Sequence, residues 1–311
     1  MSKSKRAAQG QMPPAPAGDK TTRIDGSGRL RTGWLLAVSL FGYALIALAT
    51  RFGLMRAFTA LFEAWAIDGT SVQRAPVWAQ ALYRWHGSLV TVAFAALSLA
   101  YAKWLRGLWR LEGALIPMPP ARLWGASLSG VCMAMVVAAL CLLPDSVRPE
   151  WPLTAPRFTG ALPVLCVVSL LSTLGEAAFL KRVLFDGLRD QWNGIWAAAV
   201  VCGVFWLTGG GLAGGVVAGV NVLLLGLACC RLYARYGFWT SVGFRWGWGL
   251  ANVFLLGFGG GDAAIYRLYG VSEGLLTGGD AGPMHGLWTT MALVGVIVGL
   301  TLGHKGLPEN A

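Results

Sequence analysis

The sequence predicts an all-α fold: a polytopic transmembrane helical bundle of about eight spans. Three observations carry that prediction. Hydrophobic residues make up 56% of the 311. Charged residues make up only 13%, about half the share usual in soluble domains. Charge is also absent from stretches long enough to cross a hydrocarbon core of ~30 Å as helices.

Residues 1–33 read as a disordered, basic cytoplasmic tail, with Lys3, Lys5, Arg6, Lys20, Arg23, Arg29 and Arg31 but no apolar period. The first apolar run begins at Trp34, too late for a cleavable signal peptide. Residues 34–157 hold three N-terminal spans, Trp34–Thr50, Gly87–Ala102 and Leu123–Leu143. Residues 158–302 hold five more: Phe158–Phe179, Gly194–Thr208, Leu212–Cys230, Phe238–Phe258 and Leu287–Leu302. Residues 303–311 form a C-terminal tail. The first, second, fifth and eighth spans are short and are expected to extend into amphipathic flanks or to tilt little. Gly53–Ala66 is amphipathic, so it either lies at the interface or prolongs the first span. The loop Pro144–Arg157 carries four prolines, which rules out a helix throughout.

Orientation follows from lysine and arginine, which favour the cytoplasmic side of short loops. With the N-terminus inside, seventeen of the 25 basic residues fall on inner segments and seven on outer loops, leaving Arg245 within the seventh span. Both termini are therefore expected in the cytoplasm. The net charge of +11 does not point to nucleic acid, because the basic residues lie in the tail and in short loops rather than on a folded polar domain. Trp34, Trp104, Trp109, Trp124, Trp151, Trp192 and Trp196 stand near span ends, where amphipathic rings prefer to lie. The six cysteines lie in or beside apolar segments without metal-ligand spacing and read as small packing residues. Gly211, Gly215 and Gly219 recur every four residues, a pattern that lets helices approach closely.

Two ionisable residues stand inside spans. Glu176 is near the cytoplasmic end of the fourth, and Arg245 is in the middle third of the seventh. A charge near the bilayer centre costs at least ~2.5–3.5 kcal/mol on insertion scales, so it normally faces the bundle interior. Ser169, Ser172, Thr173 and Glu176 share one helix face, and Ser241, Arg245, Gly249 and Asn252 share another. The two polar stripes are expected to meet, with Glu176 as counter-ion to Arg245 by direct or one-water contact, and with Ser241 and Asn252 completing the cavity.

Three segments resemble the motifs of the CPBP (CAAX protease and bacteriocin-processing, or Abi) family of intramembrane metalloproteases. LGEAAFLKRVLFDGL, Leu174–Leu188, is similar to a first motif of paired glutamates, three residues and an arginine. Glu176 matches the first glutamate, Ala177 replaces the second and Lys181 stands for the arginine. In an alternative register Gly175 and Glu176 take the glutamate pair and Leu180 the arginine. VCGVFWLTGGG resembles the second motif, Phe, three residues, His, with Phe205 present and Gly209 at the histidine. GFWTSVGFRWGWGLANVFLLGFG resembles the third, His, three residues, Asn, with Arg245 at the histidine and Gly249 at the asparagine. A later Gly-Pro-Glu is echoed by LLTGGDAGPM, with Met284 at the glutamate.

The resemblance implies a helical bundle like that of the CAAX prenyl endopeptidases, over roughly Phe158 to Leu302. In that family histidines and a glutamate hold a catalytic metal, and a glutamate activates water for peptide hydrolysis. Here the motif histidines are missing. His86, His285 and His304 fall on no motif position, and His86 reads as a hydrogen-bonded structural residue. Gly209 offers no ligand, and Arg245 puts a permanent positive charge where a divalent cation would sit. The expectation is a pseudoprotease with no cofactor. It would sit in the lipid bilayer of a bacterial inner (plasma) membrane and bind a transmembrane or lipidated peptide or a membrane protein. The alternative is an active metalloendopeptidase with a rebuilt site and zinc, cleaving CAAX-type or leader peptides. A transporter is a poorer reading, since only Glu176 and Arg245 would mark a path.

Overall fold

The computed structural model describes residues 32–65, 67, 72–117, 121–142, 147–149, 160–209, 215–257, 265, 268–270, 274–279 and 282–302. The expected tails, 1–33 and 303–311, lie outside these residues apart from Thr32 and Gly33, as do His304 and most of the loop Pro144–Arg157.

The described chain is helical except for one short ribbon. The first helix comprises α1 (Thr32–Ala47), a π-helical stretch at Leu48–Leu54 and α2 (Met55–Ala64). Gly53–Ala66 therefore prolongs the first helix as far as Ala64 instead of forming a separate element. α3 is Val77–Trp109 and α4 is Ala121–Leu142. α5 (Leu162–Phe179) runs through a second π-helical stretch, Leu180–Phe185, into α6 (Asp186–Gln191). α7 is Gly194–Thr208, α8 Gly215–Tyr236, α9 Phe238–Leu250 with a π-helical end at Ala251–Leu255, and α10 Leu287–Leu302.

Among the described residues, five helices are long and apolar enough to cross a membrane: Thr32–Ala64, Val77–Trp109, Ala121–Leu142, Leu162–Gln191 and Gly215–Tyr236. Gly194–Thr208 and Leu287–Leu302 are apolar but shorter. Two of the five run 33 residues, which at 1.5 Å per residue is about 50 Å, well beyond a ~30 Å core. The fifth and eighth spans, short in sequence, stay short, as Gly194–Thr208 and Leu287–Leu302, whereas the first and second are the apolar middles of longer helices. Their flanks continue helical because intrahelical hydrogen bonding does not stop where hydropathy falls.

The unforeseen ribbon pairs β1 (Val147–Pro149) with β2 (Leu268–Gly270), antiparallel. It ties the connection after α4 to the segment before α10. At the opposite end, the Arg235 guanidinium donates to the Leu300 carbonyl (2.6 Å), Arg122 to the Tyr236 carbonyl (3.0 Å) and Arg182 to the Ala114 carbonyl (2.7 Å). These end contacts describe helices that alternate in direction, with many of the basic residues gathered at one end.

The core is centred on the helix from α5 to α6, where Phe179, Leu180, Val183, Leu184 and Leu188 are fully buried. The closest helix approach is α4 against α9. Gly243 and Gly247 lie against the backbone of Leu123 and Ser127, and Gly130 lies against that of Phe244. Small residues at such a crossing let dispersion contacts and backbones meet, as membrane helix pairs require. The glycine stripe expected on α8 does not serve this way at Gly215, where a side chain would meet open space. Gly215 instead has φ +77°, a left-handed conformation that glycine adopts without strain. Gly211 lies outside the described residues.

Candidate functional site

Five helices converge around Glu176 and Arg245. α5 brings Glu176, half-buried, with Ala177 buried beside it. α8 brings Cys229, a thiol within electrostatic reach of Glu176, Lys181 and Arg245 together. α7 brings Phe205, and α9 brings Arg245, whose guanidinium stands 5.5 Å from the Phe205 ring centroid. The first helix brings Tyr43, buried and stacked on Phe179 at 3.9 Å and 8°. Tyr43 lies within electrostatic reach of Glu176 and Arg51.

Arg245 is placed by α9 packing against α4, α5 and α8. Ser241, one turn earlier, donates to the Cys229 carbonyl (2.7 Å) and fixes α9 to α8. Trp246 donates its indole N–H to the Ser169 hydroxyl (2.9 Å) and fixes α9 to α5. Gly249 lies beside the guanidinium, and a Cβ there would make ordinary van der Waals contact with Arg245 Nη1 at 3.5 Å. Asn252 donates back to the Trp248 carbonyl (2.9 Å). Its Oδ1, Arg245 Nε and the Tyr43 hydroxyl are buried with no hydrogen-bond partner among the described residues.

α5 and α9 therefore meet through Ser169 of the first stripe and Trp246, which lies off the second. No hydrogen bond or ion pair joins Glu176 to Arg245 among the described residues, and neither Ser241 nor Asn252 bonds the guanidinium. Of the direct or one-water contact expected from the sequence, the direct form is thus absent among the described residues, and the guanidinium stands over an aromatic ring. The physical reason is that Phe205 offers a π-face to the guanidinium, an attraction worth ~2 kcal/mol or more when desolvated.

Arg51 belongs to this region and was missed by a span that ended at Thr50. It lies within the first helix and donates to the Thr208 carbonyl at the end of α7 (2.9 Å). Its guanidinium stands 5.0 Å from the Phe94 ring centroid. The apolar run broke at Arg51, and hydropathy gave no signal that the helix went on.

Lys181 is buried at 5% exposure, within electrostatic reach of Cys202, Cys229 and Cys230. Its neighbour Arg182 donates to Asp186 (3.0 Å) and to the Tyr233 hydroxyl (3.2 Å), while that hydroxyl donates to Asp186 (2.6 Å). The spacing of Arg182 and Asp186, four residues apart, was the available sequence signal. Tyr233 had none. Both basic residues sit in the π-helical stretch Leu180–Phe185, a conformation often found at functional sites.

Gly209 closes α7, its N–H donating to the Phe205 carbonyl (2.7 Å). A Cβ at Gly209 would lie 2.7 Å from that same carbonyl oxygen and 3.2 Å from Val222 Cγ1, so the backbone is closed around the missing side chain. Among the described residues no group of three or more His, Cys, Asp or Glu side chains could hold a metal ion. His86 bonds the Tyr83 carbonyl (2.6 Å) and packs edge-on to Phe62, and His285 lies in the turn Pro283–His285. With Gly209 and the Arg245 cation at the junction, the residues present do not fit a zinc centre.

No protein-family model, curated protein or solved structure matches this chain.

Proposed function

We propose that this chain is a CPBP-like integral membrane protein without protease activity, whose junction around Glu176, Phe205 and Arg245 binds a transmembrane or lipidated peptide segment. The observation that carries this reading is the seating of Arg245 over Phe205. It supports the alignment of the second and third motif-like segments, since residues from each stand side by side. It also puts a permanent cation where metal chemistry would need neutral or anionic donors. Glu176 remains as a half-buried carboxylate, and Arg51 adds a second cation near it. Such a junction suits recognition of a polar group carried by an otherwise apolar ligand, in which orientation comes from a few charges and affinity from apolar burial.

The proposal extends to topology: eight spans, both termini cytoplasmic, in a bacterial plasma membrane. The basic end of the bundle then faces the cytoplasm, as the positive-inside bias requires. The test is photo-crosslinking in native membranes from positions 172 and 249, both partly exposed, together with elemental analysis and a peptide cleavage assay on the purified protein. A discrete membrane-protein or peptide adduct that weakens in Arg245→Met supports the proposal. Stoichiometric zinc with cleavage that is lost in Glu176→Gln would overturn it.

A further inference from the structure

A cavity of about 750 Å³ opens between α7 and α8. Its walls are apolar, with Ala198, Cys202, Leu223 and Leu227 facing one another, and its mouth carries Arg189, Asn193 and Arg231. Neither arginine makes a hydrogen bond or ion pair among the described residues. Arg189 stands 6.0 Å over the Phe185 ring, and Arg231 is exposed. Asp190, next to Arg189, is also exposed and pairs with neither. Asn193 caps α7 by accepting from the N–H groups of Ile195 and Trp196, both at 3.0 Å. The positive end of the α7 dipole therefore also faces the mouth. Trp192 and Trp196 flank it, exposed at 48% and 62%, and mark the level at which aromatic rings meet headgroups.

The depth identifies the occupant. From Gly194 to Cys202, eight residues of helix rise about 12 Å, close to one leaflet, or roughly half of a ~30 Å core. A transmembrane peptide would need both leaflets. A free phosphate would leave the apolar walls empty. An acyl chain beneath a negatively charged head matches both parts of the cavity.

We propose that this groove is a specific site for one anionic phospholipid of the leaflet on the basic side. Its phosphate lies between Arg189 and Arg231, and one acyl chain lies along α7 and α8 toward Cys202. The site lies one to two turns nearer the basic end of α7 than Phe205 and rests only on the reading of α7 and α8 as membrane-embedded. Its failure would leave the peptide-binding proposal untouched.

The test is native mass spectrometry of the full chain released from nanodiscs of equal phosphatidylglycerol and phosphatidylcholine. The expected result is one retained phosphatidylglycerol, favoured roughly thirtyfold over phosphatidylcholine by two arginines near the surface. That preference should vanish in the double variant R189A/R231A, and Leu227→Trp should weaken retention by narrowing the groove. Equal retention of both lipids by the unaltered protein, the signature of annular lipid only, would overturn the proposal. So would a preference that survives the double variant. A phosphatidylglycerol with a diazirine in its acyl chain provides a measurement that needs no variant. Adducts on Ala198, Leu223 or Leu227 support the site, and adducts confined to other helices refute it.

Discussion

The guanidinium of Arg245 stands 5.5 Å from the centroid of the Phe205 ring, and its Nε is buried without a hydrogen-bond partner among the described residues. A cation held mainly by a ring should couple energetically to that ring. In double-mutant cycles read by denaturation in detergent, Arg245→Met with Phe205→Leu should show a coupling of about 1–2 kcal/mol. Arg245→Met with Glu176→Gln should show less, because no direct contact joins the two. A larger coupling to Glu176 than to Phe205 would restore the ion pair expected from the sequence.

The triad of Arg182, Asp186 and Tyr233 offers a second energetic test. Its three mutual hydrogen bonds join the π-helical stretch to α8, and Arg182 also holds the Ala114 carbonyl. Asp186→Asn should cost about 1–3 kcal/mol by leaving a partly buried guanidinium short of its acid. Tyr233→Phe should cost about 1 kcal/mol. The double variant should lose less than the two together, since both remove bonds from one network. Strict additivity would show that the three residues do not act as a unit.

What the sequence made legible was whatever depends on local hydropathy. The charge-free runs mark the middles of the helices, because burial in hydrocarbon selects residues one by one. Helix ends were less legible, and Arg51 shows why: one charge broke the apolar run but not the hydrogen-bond ladder. The β1–β2 ribbon was invisible because its partners are more than a hundred residues apart. At the candidate site, helix periodicity put Ser169 on the face of α5 that meets α9 but left Trp246 off the polar face of α9. It could not tell that Trp246 would take Ser169, or that Arg245 would turn to α7. Those choices depend on where a third helix places Phe205.

Glycines on different helices should respond differently to the same change. At Gly247 an added methyl meets the backbone of Ser127, which cannot give way without moving α4. Gly247→Ala should destabilise by about 1–3 kcal/mol through overpacking, and Gly247→Leu should block folding. Gly215→Ala meets no neighbour but carries the strain of φ +77°, worth about 1–2 kcal/mol. At Gly215, Leu should therefore cost about as much as Ala. A steep dependence on side-chain size at Gly215 would contradict the open space there.

The alternation of helix direction leads to a labelling prediction. Thr32 donates to Gln191 Oε1 (3.2 Å) at the end where Arg122 meets Tyr236 and Arg235 meets Leu300. Arg51 meets Thr208 at the other end, where Asn221 also donates to the Met284 carbonyl (2.8 Å). Gln73, exposed just before α3, lies at the second end, and Asp190, exposed on α6, lies at the first. The basic loops gather with Asp190, so that side should be cytoplasmic. With a membrane-impermeant maleimide, Gln73→Cys should label in intact cells and Asp190→Cys only after permeabilisation. The native cysteines give the background, to be subtracted with the unaltered protein. The reverse pattern would invert the orientation and keep the fold. Labelling of both positions in intact cells would place the two ends on one side, which an alternating bundle that spans the membrane does not permit.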